Sequence, residues 1–353
     1  MRLFYLPFIL ATGTALAAAP DCIRADFIAN TPGCTSLTLD GPDIIISGGP
    51  ALIWTGLTGN VTINTNIILD GGNGNTNAMD PDPGGSAGPG ADKGGGLSFG
   101  SNEPGGSNSA SDGKAPLAET LGSPCSNAGG GAGFYSNGGS GGTCATAVEP
   151  VANGGSDSSA LFDFTLGLFR GGFGGGAGAI GSDIAVGAGG GGGGALHIET
   201  TGTITVKSGV RISARGGNGG NATINGGGGG AGSGGAIWLV GSSVQLNGSI
   251  DTRGGTGGKN NNTGAHGGNG SDGRYRIENG PIVTEGHGLA SGGSSSRKLS
   301  SDISCGTIGV AKENKNETFQ MLTGFMMALM MGAMIKILSR FPKKLLAKSA
   351  LRN

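Results

Sequence analysis

Short runs of alternating apolar and polar residues recur along the chain in groups of three. Each run spans about three to five residues rich in Val, Ile, Leu and Thr, and such period-two alternation predicts β-strands. The groups, complete or partial, are 36–39 with 43–46; 51–54 with 61–63 and 67–70; 195–199 with 203–206 and 210–215; 236–240 with 244–246 and 249–253; and 274–278, which fades after 282–283.

Strands this short cannot bury an apolar face one at a time. Stacked as successive turns of a coil, they would enclose a continuous interior of Val, Ile and Leu. The repeated order of three strands therefore predicts an all-β fold, a short right-handed parallel β-helix. Its corners would contain residues suited to tight turns, such as Asn60, Gly202 and Gly209. A β-sandwich is the alternative, although it would need hairpin connections.

Glycine separates the groups and accounts for 81 of the 353 residues. This content excludes an ordinary helical domain, since each interior glycine costs about 0.5–1 kcal/mol relative to alanine. The lack of a strict Gly-X-Y period excludes collagen. The glycine-rich blocks, 71–194, 216–235 and 254–273, are predicted to be either disordered linkers or polyglycine-type helices. In the second case the missing Cβ atoms would let extended backbones hydrogen-bond laterally.

Both ends of the chain have the features of an exported, anchored protein. Residues 1–17 predict a secretory signal peptide, with an uncleaved anchor as the alternative. Residues 319–338 predict a transmembrane helix, with an amphipathic surface helix as the alternative, and 339–353 a basic cytoplasmic tail. The regions predicted between them are 18–72 with the first β-helix coils, 73–194 as a glycine-rich insert, 195–290 with the remaining coils, and 291–318 as a polar stalk.

Export also permits disulfide bonds among the five cysteines. Cys22 and Cys34 are close in sequence at the start of the mature chain, and Cys125 and Cys144 bracket a glycine-rich loop. The natural pairing is therefore Cys22–Cys34 and Cys125–Cys144, each bond contributing about 2–4 kcal/mol. Cys305 is left unpaired beside the predicted helix.

Three parts of the sequence resemble known families. The strand groups ending in Gly-Gly resemble glycine-rich, pectin-lyase-like parallel β-helix surface proteins of bacteria, and the glycine blocks resemble the glycine sandwiches of phage tail-tip adhesins. The segment 301–308, with its Cys305-Gly306 pair, precedes an apolar helix and a basic tail. This order resembles the tripartite sorting signals of the MYXO-CTERM and GlyGly-CTERM types, which implies proteolytic removal of the helix near Cys305. A permanent single-pass anchor is the alternative.

Alignment of the strand groups predicts a column of side chains on the outer wall. If the groups stack in register, His197, Trp238 and Arg276 point outwards together, with Glu199 and Glu278 two residues further on. An aromatic ring flanked by polar groups could stack on a sugar, so these three residues form a candidate ligand-binding site. The plainer alternative is that Trp238 packs against a glycine-rich flap.

The same register places Asp70, Arg215 and Arg253 at equivalent corners. Contact between Asp70 and Arg215 would mean that the insert loops out. The strand groups on either side of the insert would then stack directly on each other.

Catalytic, metal and cofactor sites are poorly supported. The three histidines have no spaced partners, and the acidic residues are scattered singly. The segment 267–275 begins like a calcium-binding nonapeptide, but Arg274 occupies its hydrophobic position and no tandem copy follows. The sequence therefore predicts no metal and no cofactor.

The predicted cytoplasmic tail is basic, whereas the predicted exported part of the chain is acidic. Without Arg2 and the six basic residues from Lys336 onward, 15 basic and 23 acidic residues remain, a formal charge of −8. An acidic body disfavours nucleic-acid binding. We therefore expect a non-enzymatic protein of the cell envelope or surface, adhesive or structural, whose partners would be surface glycans or another cell. The alternatives are a carbohydrate-active β-helix enzyme, either a lyase or a hydrolase, and a spacer without a ligand.

Overall fold

The alternating runs form strands, and these provide nearly all of the regular secondary structure. A computed structural model describes residues 21–76, 83–98, 101–102, 105, 111–116, 125–144, 152–158, 169–179, 186–222, 225–260 and 262–291. Within them there is one six-residue helix, α1 (Arg24–Ala29). The strands are β1 (Leu37–Leu39), β2 (Ile44–Ile45), β3 (Leu52–Leu57), β4 (Val61–Ile63), β5 (Ile67–Ile68), β6 (Leu97–Ser98), β7 (Ser101–Asn102), β8 (Ala195–Thr200), β9 (Thr203–Val206), β10 (Arg211–Ser213), β11 (Ala236–Gly241), β12 (Ser243–Leu246), β13 (Ser249–Thr252), β14 (Arg274–Asn279) and β15 (Ile282–Ser291).

Most strands pair in parallel with the equivalent strand of the next group. One sheet has the order β1-β4-β9-β12, and a curled mixed sheet has the order β2-β5-β10-β13-β15-β14-β11-β8-β3. In both sheets every pair that does not involve β15 is parallel. Strands β6 and β7 form a separate antiparallel pair. The all-β prediction is confirmed at this level.

The long insert does not interrupt the stacking of the groups on either side of it. Ile67 of β5 pairs with Ile212 of β10, although more than a hundred residues separate them in sequence. At the adjoining corner, Asp70 Oδ1 accepts hydrogen bonds from the Arg215 backbone N at 2.8 Å and from Ser213 Oγ at 2.6 Å. The predicted contact between Asp70 and Arg215 is therefore present, but it uses the backbone of Arg215.

The interior between the sheets is aliphatic. Its members are inward-facing strand residues with no exposed surface, including Leu37, Val61, Ile63, Ile67, Leu196, Ile198, Ile204, Ile212, Leu239 and Ile250. Burying such a side chain contributes about 1.5–3 kcal/mol. Near the N-terminal end, Phe27 of α1 contacts the buried Trp54, with ring centroids 5.5 Å apart. The helix therefore extends this core beyond the strands.

The last group differs from the sequence prediction. The sequence predicts that this group fades after 282–283, but β15 continues from Ile282 to Ser291 and runs antiparallel to both β14 and β13. The two-residue loop Gly280-Pro281 explains the reversal. Gly280 has a φ of 57°, and tight hairpins favour a glycine with positive φ at the first central position.

The glycine blocks are joined laterally through their backbones. We use the term glycine bundle for the described residues of 71–194, 216–235 and 254–273. The backbone N–H groups of segment 187–193 donate to three neighbouring segments in turn, so each neighbour accepts from every third residue. The N···O distances of these hydrogen bonds are 2.8–3.1 Å. The carbonyl groups of the same segment accept hydrogen bonds from three further segments, again with every third residue bonded to the same neighbour. Its six neighbours are 72–75, 85–88, 92–95, 172–178, 217–220 and 227–233.

This close approach leaves no room for a side chain at many glycine positions of the bundle. A Cβ atom added to Gly190 would lie 2.2 Å from the carbonyl oxygen of Gly217, and one added to Gly191 would lie 2.0 Å from that of Ser86. Real Cβ atoms essentially never lie this close to a heavy atom to which they are not bonded. Glycine is therefore a packing requirement at these positions, while other buried positions of the bundle hold alanine, such as Ala188, or larger side chains, such as Phe134.

Both predicted disulfide pairs are confirmed. The Cα atoms of Cys22 and Cys34 are 5.5 Å apart, and those of Cys125 and Cys144 are 6.0 Å apart. The first bond ties the segment before α1 to the segment before β1, and the second joins two segments of the glycine bundle. Cys305 lies outside the described residues.

The predicted signal peptide, the anchor at 319–338 and the tail at 339–353 also lie outside the described residues, as does nearly all of the stalk. Across 21–291, with the gaps given above, no helix combines the length and apolar character needed to span a membrane.

Candidate functional site

The structure brings together the three residues of the predicted outer column. His197 of β8, Trp238 of β11 and Arg276 of β14 occupy paired positions on adjacent parallel strands. The imidazole stacks on the indole with ring centroids 4.0 Å apart and planes inclined by 5°. The Arg276 guanidinium carbon lies 5.8 Å from the centroid of the Trp238 ring. The register that the sequence predicts is therefore present in the sheet.

Protein groups surround this column. Phe169, from the insert, has its ring centroid 5.8 Å from that of His197 and 6.3 Å from that of Trp238. Glu278 accepts hydrogen bonds from Trp238 Nε1 at 3.0 Å and from Arg276 Nε at 2.7 Å. Trp238 thus contacts the insert through Phe169 and the neighbouring strand through Glu278. The binding of a ligand by His197, Trp238 and Arg276 stays a prediction.

His197 is 8% exposed, and the burial has an electrostatic consequence. Burial lowers the pKa of His197 to about 4, although the negative charge of Glu278 acts in the opposite direction. Its Nε2 atom is buried without a hydrogen-bond partner in the described part of the chain. The imidazole is therefore neutral near pH 7. The other predicted neighbour, Glu199, is exposed on β8.

A second polar cluster lies at the corner that the sequence singled out. The carboxylate of Asp251 is nearly inaccessible and accepts hydrogen bonds from Arg253 Nε at 2.9 Å and from one terminal nitrogen of Arg253 at 2.8 Å. Arg215 Nε lies 3.8 Å from it. Burial opposes ionisation of Asp251, but the hydrogen bonds and charges of the two arginines outweigh it and lower the pKa. The cluster neutralises a buried charge and thereby stabilises the corner.

A pocket that the sequence prediction does not include lies at the hairpin between β14 and β15. It measures about 180 Å³ and is lined by Tyr135, Arg274, Tyr275, Glu285 and Gly286. Tyr135 comes from the insert, and the other four residues come from the hairpin. Their convergence depends on the antiparallel β15, which the fading fourth group did not reveal. The Phe134-Tyr135 doublet and the Gly280-Pro281 loop were the available signals.

The described residues contain no group of three His, Cys, Asp or Glu side chains that could hold a metal ion. Asp272, in the segment that begins like a calcium motif, instead accepts a hydrogen bond from Gly254 N at 3.1 Å and lies 3.5 Å from His287 Nδ1. Protein groups thus contact both oxygens of this carboxylate.

No protein-family profile, curated protein or solved structure matches this chain. The stacked column at Trp238 and the pocket at Tyr135 are two places where aromatic and charged side chains meet.

Proposed function

We propose that the strand groups form a short right-handed parallel β-helix and that the glycine bundle consists of polyglycine-type helices. The parallel pairing of equivalent strands supports the first part. The hydrogen bonds that recur at every third residue support the second, because an extended helix with three residues per turn presents each neighbour with one N–H per turn.

On this architecture, the protein would work as an exported surface protein tethered by its C-terminal helix. Its role would be adhesive or envelope-structural and non-catalytic, and its partners would be surface glycans or another cell surface. The signal-peptide pattern of 1–17 and the apolar 319–338 followed by a basic tail support this location. Processing near Cys305 would replace the anchor with a new C-terminus.

The bonding of segment 187–193 to six neighbours is the observation that carries the proposal. A body held by backbone hydrogen bonds in several directions needs few large side chains. Its outward-facing positions are consequently free to vary with the partner. Rigid presentation of a surface is a mechanical role that suits an adhesin or an envelope component, and it needs no acid–base pair.

The central experiment asks whether the purified full chain binds or cleaves. It would be applied to a glycan array and to cultured cells, and incubated with polyuronates while unsaturated sugar is monitored. Adhesion without product release is the expected result. Release of unsaturated sugar would replace the proposal with a carbohydrate-active enzyme, and blank results in both assays would indicate a spacer.

A substitution tests the predicted column separately. Trp238→Ala should abolish attachment without unfolding the protein, whereas Ile45→Ala, at an exposed position of β2, should leave it unchanged. Unchanged attachment of the Trp238→Ala variant would discard the column as a binding site.

Mass spectrometry of the mature protein tests the location. We expect an N-terminus at residue 18. A C-terminus either at 353 or close to Cys305 distinguishes a retained anchor from a processed one.

A further inference from the structure

We infer that the pocket between Tyr135 and the β14–β15 hairpin binds one pyranose ring of a neutral glycan. The inference rests on the proposed adhesive function and supplies its ligand class. It depends on residues from two regions that are distant in sequence, the insert and the last strands.

Packing of the preceding residue fixes Tyr135 at the edge of the pocket. Phe134 is fully buried, and its ring centroid lies 6.0 Å from that of Phe173. The Tyr135 ring stacks on His287 with centroids 4.1 Å apart, and its backbone N donates to Asp272 O at 3.2 Å. The side chain is nevertheless 39% exposed. An aromatic ring that is held in place and still exposed is suited to stacking on a sugar.

The second ring of the pocket lies over a position without a side chain. Tyr275 pairs across the hairpin with Gly286. A Cβ atom added to Gly286 would lie 2.3 Å from the Tyr275 hydroxyl. Glycine at this position therefore lets the phenol lie across β15 and form part of the pocket lining.

Charged groups on the same lining could bind sugar hydroxyls. Arg274 has its guanidinium carbon 5.3 Å from the Tyr135 ring centroid. Glu285 is paired through Oε1 with Arg276, and its side chain is 54% exposed, so Oε2 can accept a hydrogen bond from a ligand. A carboxylate and a guanidinium beside aromatic rings provide both acceptors and donors for hydroxyl groups.

Size and charge narrow the ligand class. About 180 Å³ is smaller than the roughly 300–1,000 Å³ of sites that enclose a drug-sized molecule, which favours a single ring over an oligosaccharide. One arginine and one glutamate, Arg274 and Glu285, line the pocket together with uncharged residues, so the charges of the lining balance. A neutral sugar is therefore expected to bind better than a uronic or sialic acid.

The test uses the full chain and an array of neutral glycans ending in hexose or N-acetylhexosamine, with sialylated and uronic-acid glycans as the acidic arm. Tyr135→Ala should weaken binding of neutral glycans about tenfold, since a stacked ring contributes up to about 1.5 kcal/mol. Ile282→Ala removes an exposed side chain from β15 and should leave binding unchanged. Unfolding midpoints measured in urea would show that both variants remain folded.

A second variant guards against a structural effect at Tyr135. Glu285→Gln retains the size of the side chain and should also weaken binding. If the full chain binds glycans and both variants bind like the wild type, the pocket inference is overturned while the adhesive function stands. Preference for the acidic arm would overturn the neutral-ligand class. If the chain adheres to cells but binds no glycan, only the pocket inference is overturned. If the chain neither adheres to cells nor binds glycans, the pocket inference and the proposed adhesive function are both overturned.

Discussion

The strand region and the glycine bundle solve the same packing problem in opposite ways. Between the sheets, backbones approach one another only along the stacking direction, and Leu, Ile and Val side chains fill the space inside. In the bundle, a segment such as 187–193 is hydrogen-bonded to neighbours in six directions, and no such space exists. Large side chains are necessary in the first region, and Cβ atoms are mostly excluded from the second.

This contrast shows how a glycine-rich chain can be ordered. Glycine loses more conformational entropy on folding than any other residue. Lateral backbone hydrogen bonds offset part of this loss, because each net bond contributes about 0.5–1.5 kcal/mol and almost every peptide unit of the inner segments makes two. Composition alone therefore does not indicate disorder.

The edge of the bundle follows a further rule. Asn73 Oδ1 accepts from Asn218 N at 2.9 Å, and Asn218 Oδ1 accepts from Thr256 N at the same distance. These residues occupy the third position of Gly-Gly-X triplets in successive blocks. Two glycines per turn thus face other segments, while the third residue faces outwards and satisfies a neighbouring N–H group.

The largest expected effect tests the side-chain requirement of the strand region. Trp54→Ala should lower the free energy of unfolding by roughly 3–5 kcal/mol, because a fully buried indole in contact with Phe27 would leave a cavity. Urea unfolding of the full chain measures it. The adjacent Ile53 is 43% exposed, so Ile53→Ala should cost less than about 1 kcal/mol. Equal losses in the two variants would contradict the assignment of the core.

The next effect concerns the boundary between the two regions, where Phe169 of the insert covers His197 of β8. The folded state holds the pKa of His197 near 4, below its ordinary 6.5. The free energy of unfolding should therefore be highest above pH 6.5 and should fall as the pH decreases towards 4. In this range His197 binds a proton in the unfolded chain but not in the folded one. The loss should be roughly 3 kcal/mol.

The matched variant His197→Phe retains an aromatic ring and removes the titration. Unfolding free energies of both proteins would be compared at pH 7 and pH 4.5 in urea. The wild type should lose more stability than the variant on acidification. Parallel losses would mean that His197 is accessible to water.

Sequence reasoning located the strand groups and their register because alternation and spacing encode them directly. The equivalence of His197 and Trp238 and the pairing of Cys22 with Cys34 followed from local patterns, and the structure confirms both. The packing of the glycine bundle is harder to predict, because a glycine run has no side-chain periodicity from which lateral contacts could be inferred. The Gly-Gly-X triplets at the edge are the local sequence signal of this packing.

The sequence does not predict the hairpin or the pocket, and the reason differs from that for the glycine bundle. The strand β15 alternates weakly and contains two glycines, so its pairing depends on the Gly280-Pro281 loop. Tyr135 reaches the pocket through contacts between distant parts of the chain, such as its stacking on His287. Sequence patterns that span a few residues carry no information about such contacts.

A smaller effect tests the exclusion of Cβ atoms from the bundle. Gly190→Ala adds a methyl group 2.2 Å from the Gly217 carbonyl oxygen and should cost about 1–3 kcal/mol of unfolding free energy, since backbones must shift apart. Gly33→Ala is the matched control, because a Cβ atom there meets nothing within 4 Å. Equal stability of the two variants would show that the inner segments are not packed as closely as described.

The smallest effect concerns the edge of the bundle. Asn218→Ala removes the acceptor for Thr256 N and Thr256 Oγ1, bonds of 2.9 and 3.0 Å, and should cost about 1 kcal/mol. Lys259→Ala changes an exposed side chain in the same segment as Thr256 and should be neutral. Hydrogen exchange sharpens the test, because the Thr256 amide should lose protection in Asn218→Ala while the Gly190 amide retains it. Loss of protection at both amides would mean that the edge and the interior of the bundle open together.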